Sequence, residues 1–535
     1  MARTGERALA ILAACALLAI GTGWCLYYGR LGFQPLDSPI VFDGAWRVLS
    51  GQVPFRDFTT PAGLPSIYLQ ALFFRCFGVS WFAYCLHAAL VNGLFCVLVC
   101  GLLRALGAGR GAALLYGALS AIVFYTPVGV PYLEQHGFFF LVLAAWLVAC
   151  GLRGRTRRAR AIAGALVPAA LVLVFLSKPN VALLGLLPLG ATFVFVMTRA
   201  DTERGSWRSV AVGALAGTLA VVVLLVLLGW GSGVQLAKVR THLLELPGDV
   251  GRERLGELPA RTFVDALFAR YVAAISPLFV TVAATATLVW MALRARRRDA
   301  VEPTPAAWPV LLAASWTLAS ALFVVSTRNN PQNGFPFVFL SLGIVHAGLD
   351  GAVPWPDAAP LRRWLGLFVA ALALRDAYYF NETVNATRVV SDIAYDPAVA
   401  AHLRTPALSF LRFQVYPQCP LTPETIDGVV DWFGAHEGNF YYVGECTIVY
   451  ALTGRPSLSP YLWYHAGLTV PVESSPRFAE LEDEILRNLE TYHVRYVVVG
   501  EGYPPDTFPR LFQYVSTHAV REEHVGCLRI VELRG

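Results

Sequence analysis

Lysine is nearly missing from this chain. Of 42 basic residues only Lys178 and Lys238 are lysines, so arginine carries almost all the positive charge. Charge of both signs is scarce: Asp, Glu, Lys and Arg make up 15% of the residues, where a soluble domain carries about 25%. That excludes a protein that lies wholly in water. No Cys-x-x-Cys pair and no Cys/His spacing of a zinc site occurs. No glycine-rich phosphate loop opens a helix, and no nucleotide-binding domain is to be expected. There is no internal repeat and no low-complexity tract. The net charge of +6 is spread between apolar runs and does not point to nucleic acid.

What fills the chain is apolar sequence: 56% hydrophobic residues and a mean hydropathy of +0.55. Most apolar runs approach the ~20 residues that cross a ~30 Å hydrocarbon core. The first, Ala8 to Tyr28, is long for a signal peptide and lacks a small-residue cleavage site, so it is read as a retained first helix. Seven of the ten cysteines fall between Cys15 and Cys150 in apolar surroundings, as small buried hydrophobes do. Cys419, Cys446 and Cys527 lie near the C-terminus, and in an oxidising compartment Cys419 and Cys446 are the pair expected to bridge.

The arginines set the topology. Arg3 and Arg7, Arg104 and Arg110, the run Arg153 to Arg160, Arg199 to Arg208, Arg294 to Arg298, and Arg362 with Arg363 all fall on one side if the chain crosses about eleven times. Cytoplasmic loops attract Lys and Arg, so the N-terminus is expected inside and the C-terminus outside. The expected fold is mainly α: a polytopic membrane helical bundle over residues 1–380, followed by an extracytoplasmic soluble α/β domain over 381–535. In that second part TPETIDGVVDWFGAH and PRFAELEDEILRNLETYH read as helices. NFYYVGE, VRYVVVGE and HVGCLRIVELR read as strands, an alternation that predicts a layered sheet.

The outer face then holds the loop from Gly29 to Pro65, the loop from Thr126 to His136, the turn SKPN (Ser177 to Asn180), a basic stretch from Gly231 to Arg270, and the turn STRNNPQNG (Ser326 to Gly334). The first loop carries Asp37, Asp43 and Asp57, with Arg56 beside the last. Its AWRVLSG segment reads as a short helix along the membrane surface, and Ile67 to Phe77 as an apolar half-helix. A carboxylate at the water–lipid boundary can take a proton from a hydroxyl. Glu134 and His136 stand at the mouth of a membrane helix, where an acid usually faces a polar cavity. Lys178 and Arg328, boundary cations, would suit a phosphate. Gln332 shares the Arg328 turn.

Together these segments resemble the polytopic GT-C glycosyltransferases, most closely bacterial members of the protein O-mannosyltransferase and aminoarabinose-transferase type. Members have an acidic first outer loop, then a segment like A-x-x-L-x-x-G-x-x-P-[YF]-x-D-F, then a half-helix. This chain has AWRVLSGQVPFRDF, Ala45 to Phe58, and continues into IYLQALFFRCFG. The family's catalytic acid stands fourteen residues before the motif glycine, which is Asp37 here, with Asp43 as the rival base. Glu134 resembles the second-loop acid and Arg328 a late-loop cation. There are departures: Ser38 follows Asp37 where many members have Glu, and TTPAG replaces a Lys-Pro-Pro.

The resemblance implies transfer of a sugar from a polyprenyl-phosphate donor to a hydroxyl of a lipid, glycan or protein, with inversion at the anomeric centre, at the outer face of the cytoplasmic membrane. Asp37, Asp43 and Glu134 are the catalytic candidates. Asp57, Arg56, His136, Lys178, Arg328 and Gln332 are the candidates for holding substrate. No cofactor is required, and a divalent metal is left open. Membrane lipids are expected partners and nucleic acid is not. The rival reading from another class is a transporter or flippase of lipid-linked glycans, whose acids would line a path through both leaflets. A sensor using the C-terminal domain as its binding module is a third.

Overall fold

The protein is described from a computed structural model, over residues 2–32, 38–199, 206–256, 312–316, 319, 336–352, 359–387, 401–413, 422–444, 446–464, 466–467, 469–500, 503 and 505–534. It is a multi-pass helical membrane protein with a small C-terminal sheet. Helix α1 (Ala2–Gly29) is followed by α2 (Ser38–Leu49), α3 (Leu64–Phe77), α4 (Trp81–Ala105), α5 (Arg110–Val123) and α6 (Leu133–Leu152). Then come α7 (Arg157–Ser177), α8 (Pro179–Arg199) and α9 (Ser206–Gly231). Among the described residues five helices are long and apolar enough to cross a membrane: Gly5–Gly29, Trp81–Ala105, Leu133–Leu152, Arg157–Ser177 and Trp207–Gly231. Four shorter apolar helices join them. On α9 large apolar side chains such as Leu215, Leu219, Val226 and Trp230 stand exposed all along the helix. Such a surface is stable only against lipid.

Local chemistry sets the helix ends. Ser80 caps α4, its side chain accepting from the Ala83 N–H at 3.2 Å, and Thr156 caps α7 through the Ala159 N–H at 3.1 Å. Pro179 clashes with a helical residue before it, so Lys178 is extended (φ −162°, ψ 110°) and the chain breaks into α7 and α8 there.

Two contacts orient the bundle. Glu6 pairs with Arg110 at 3.0 Å, joining the starts of α1 and α5. The Gly29 carbonyl accepts from Trp81 Nε1 and Cys85 Sγ, both at 3.2 Å, joining the end of α1 to the start of α4. His87 near the start of α4 meets His136 in the first turn of α6 at 3.0 Å, so the arginine-bearing turns that follow both helices gather at one end. At the other, the Gly63 N–H reaches the Leu176 and Ser177 carbonyls at 3.0 Å, and the Gln235 N–H reaches the Phe55 carbonyl at 3.1 Å. Among the described residues, the first loop, the Lys178 break and the start of the 231–256 stretch share this end; the Ser326 to Gly334 turn lies outside the described residues. Inside, Asn92 bonds the Gly21 and Ala121 carbonyls and the Tyr125 N–H, a fully used amide between α1, α4 and the end of α5.

Beyond α9 lie α10 (Leu236–Arg240), a π turn (Thr241–Glu245) and α11 (Leu246–Gly256), then α12 (Val338–Ala352) and α13 (Ala359–Phe380). The C-terminal part holds a two-stranded pair, β1 (Ala401–His402) and β2 (Arg412–Phe413), and a four-stranded sheet. That sheet is formed by β3 (Asn439–Val443), β4 (Val494–Val499), β5 (Ala519–Val525) and β6 (Leu528–Leu533) in the order β3-β4-β6-β5. Strands β3 and β4 run parallel and the rest antiparallel. Its helices are α14 (Pro423–Ala435), α15 (Ile448–Leu452), α16 (Pro476–Thr491) and α17 (Pro509–His518).

Alternate side chains face opposite layers, as a strand's period of two requires. Phe440, Tyr442, Tyr496 and Val498 pack with α14, α15 and the first loop, while Tyr441, Val443, Val497 and Val499 pack with α16 and α17. The segment HVGCLRIVELR is not one strand. Gly526 (φ +56°) turns the chain between β5 and β6, and a Cβ there would stand 2.1 Å from Thr425 Oγ1.

Helix α2 differs most from its expected place. It is not an exposed surface helix but is buried between bundle and sheet, with Phe42, Asp43, Ala45 and Arg47 wholly inaccessible. Residues 455–462 stitch it down. Trp46 Nε1 donates to the Arg455 carbonyl (2.8 Å), Gln52 Nε2 to Ser457 O (2.8 Å), and Thr59 N–H to Pro460 O (2.9 Å).

Candidate functional site at the loop end of the bundle

At the loop end, Glu134 in the first turn of α6 meets Lys178 from the break between α7 and α8. Lys178 Nζ lies 2.9 Å from Glu134 Oε1. The carboxylate side chain is 2% exposed and the lysine 24%, so the pair sits at a boundary with the amine on the open side. A carboxylate in the first turn also meets the positive end of the helix dipole.

Beside it, a hydrogen-bonded chain crosses four elements. Gln70 Oε1 and His87 Nδ1 are 2.9 Å apart, and His87 Nε2 and His136 Nε2 are 3.0 Å apart. His136 Nδ1 meets the Tyr125 hydroxyl. The phenol oxygen also accepts from the Tyr132 N–H (3.3 Å) and lies 3.0 Å from the Tyr132 carbonyl. Burial pushes the Tyr125 phenol well above its usual range, so it keeps its proton and can donate.

Two further ion pairs hold the first loop. Asp43 accepts from Arg47 Nε (2.9 Å) and from Ser457 Oγ (2.5 Å), and Arg47 also donates to the Ser459 carbonyl (2.6 Å). Burial raises the Asp43 carboxyl above its usual range, and Arg47 and Ser457 offset only part of that. Asp57 closes its own turn, accepting from the Val53 N–H (2.7 Å) and from Arg56 Nη2 (2.7 Å). Partial burial works against its charge, but Arg56 and Val53 together outweigh it and hold the carboxyl below the ordinary range. Arg56 reaches on to the Ser232 carbonyl at 3.4 Å, tying the loop to the end of α9.

No protein-family model matches the chain, and no curated protein does. Among solved structures, the crystal structure of ArnT from Cupriavidus metallidurans in the apo state aligns over 99% of this chain and 98% of that one, with a TM-score of 0.50 and 16% identity. The chain has the polytopic fold of ArnT. A crystal structure of the same enzyme bound to undecaprenyl phosphate aligns over the same shares at a TM-score of 0.46 and 15% identity.

Within this ArnT-like fold the residues singled out from sequence divide into three groups. Glu134, His136 and Lys178 come together at the mouth of α6. Asp43, Arg56 and Asp57 lie in the first loop, bonded to Arg47 and Ser457 or to each other. Asp37, Arg328 and Gln332 lie outside the described residues, as does Cys419. Among the described residues no group of three or more His, Cys, Asp or Glu could hold a metal ion. Gln70, His87 and Tyr125 were not anticipated. A lone polar side chain inside an apolar run is costly unless bonded, and His87 in ALVNG's helix was such a signal.

Proposed function

We propose that the protein is a GT-C-type glycosyltransferase that moves a sugar from a polyprenyl-phosphate carrier to a hydroxyl of a lipid, glycan or protein at the outer face of the cytoplasmic membrane. The observation that carries this reading is the Glu134–Lys178 pair at the loop end of an ArnT-like bundle. ArnT itself has been crystallised with undecaprenyl phosphate. A lysine amine has three donors, so Lys178 can keep Glu134 and still bond a phosphate oxygen from its open side. The helical part, residues 1–380, would hold the chemistry, and residues 381–535 would cover the first loop.

In this reading Asp37 takes the proton of the acceptor hydroxyl as its oxygen attacks the anomeric carbon. The bond from that carbon to the phosphate oxygen breaks, and the polyprenyl phosphate leaves with the electron pair. A single displacement inverts the centre. Lys178 and Arg328 would stabilise the charge gathering on the leaving phosphate, with Gln332 beside Arg328 on the same turn. Neither a cofactor nor a metal enters these steps.

Binding of undecaprenyl phosphate to the purified protein tests the donor site. Lys178→Met should weaken it about tenfold or more, the scale of a lost charge-assisted hydrogen bond, and Lys238→Met should leave it unchanged. Equal binding by both variants would remove Lys178 from the site.

A further inference from the structure

We propose that the chain Gln70–His87–His136–Tyr125 is a positioning device: it fixes the start of α6 and so holds Glu134 against Lys178. Its meaning for catalysis rests on the glycosyltransferase reading; its effect on the ion pair does not.

The start of α6 needs outside support. Its N-cap is Tyr132, which offers no side-chain cap to the orphan N–H groups of the first turn. The Tyr125 phenol supplies what the cap lacks. It accepts from the Tyr132 N–H and, through His136, holds the first turn itself. His136 then passes the hold to α4 through His87, and His87 passes it to α3 through Gln70. Every side chain in the chain is buried, Tyr125, His87, His136 and Gln70 all at 0% exposure. Glu134 lies two residues from His136 on the same turn, so it cannot shift without straining the chain.

The bonding is also directional. With Gln70 Oε1 accepting from His87 Nδ1–H, His136 Nε2–H donates to His87 Nε2, and His136 Nδ1 takes the phenol proton. Turned round, His136 Nδ1–H donates to the phenol, His87 Nε2–H donates to His136 Nε2, and the Gln70 amide must turn over so that its nitrogen donates to His87 Nδ1. In both cases the contact between the two Nε2 atoms admits one proton. His136 is thus spent on holding the helix and does not reach a substrate, and His87, Gln70 and Tyr125 join it as positioning residues.

The scarcity of lysine provides the readout. Lys178 and Lys238 are the only two, both ion-paired and similarly exposed at 24% and 22%. Amine-reactive labelling of the full-length protein in detergent, followed by peptide mapping, gives their ratio directly. Glu134→Gln sets the value for a broken pair. Tyr125→Phe and Gln70→Leu should each raise Lys178 labelling over Lys238 toward that value and weaken undecaprenyl phosphate binding about tenfold.

Tyr125→Phe removes a single oxygen, and the double exchange Gln70→His with His87→Gln should restore the wild-type ratio, which a mere packing defect would not do. An unchanged ratio in Tyr125→Phe and Gln70→Leu protein that elutes as a single species overturns the proposal. If the wild type fails to bind undecaprenyl phosphate, the donor reading falls, and the labelling ratio still decides the positioning role.

Discussion

Asp43 and Arg47 leave water together when the C-terminal part folds over the first loop. Breaking a buried pair by removing one partner strands the other, at about 3–5 kcal/mol. Asp43→Asn should therefore lower the unfolding temperature sharply in detergent, and adding Arg47→Met should recover part of the loss. This separates the two rival bases. Asp37→Asn should cost about 10²- to 10⁴-fold in turnover with an unchanged unfolding temperature. A dead but stable Asp43→Asn protein would reverse the assignment. The sequence put Glu134 and His136 in one outer loop and Lys178 in another on the same face, because each sits at the edge of an apolar run; their meeting is seen only in the fold. The sequence could not show that His136 is consumed by Tyr125 and His87, since those partners come from other helices and local spacing carries no trace of them.

Helix contacts depend on residues that look unremarkable in the sequence. A Cβ on Gly213 would stand 2.1 Å from the Ala161 carbonyl oxygen, and one on Gly217 2.1 Å from that of Ala165, so α9 crosses α7 at backbone distance. Gly213→Leu should push the helices apart and lower stability in a thermal melt, while Gly229→Leu, where nothing lies within 4 Å, should not.

The strap formed by α10, the π turn and α11 is held to α16 by Lys238–Glu484 (2.9 Å) and Arg477–Glu245 (3.2 Å). Lys238 and Arg240, from the basic stretch Gly231 to Arg270, are paired with Glu484 and Glu245. Within the strap, burial and the nearby Lys238 and Arg477 charges push His242 down to about 4. The unfolded imidazole protonates first as pH falls, so stability is full above about 6.5 and drains toward 4. Hydrogen-exchange protection over 236–256 should drop between pH 7 and 5, and His242→Asn should flatten that dependence.

Long apolar helices and the strands β3 and β4 were legible because their patterns are strong. The edge strand β5 was not, since AVREEHV is polar and exposed and shows no buried alternation. Nor was the seat of α2, whose amphipathic face suits a membrane surface as well as the sheet that packs on it from 400 residues away in the chain.

At the scale of the molecule, Asp57, Glu134 and Lys178 share one end of the described residues and the arginine-bearing turns after α4 and α6 the other. If the first end faces outward, a reporter after Gly535 should be extracytoplasmic and one within Arg153 to Arg160 cytoplasmic. Access from the outside is what separates transfer from transport, for a transporter must expose its acids to both leaflets in turn. The measurement that decides is the fate of the donor. Purified protein in sealed vesicles would be given a panel of labelled polyprenyl-phosphate sugars together with a membrane acceptor extract. The account predicts that one sugar moves to acceptor, releasing polyprenyl phosphate in equal amount, and that Asp37→Asn abolishes the release. Lipid-linked sugar that crosses the bilayer intact, with no polyprenyl phosphate released, would contradict it.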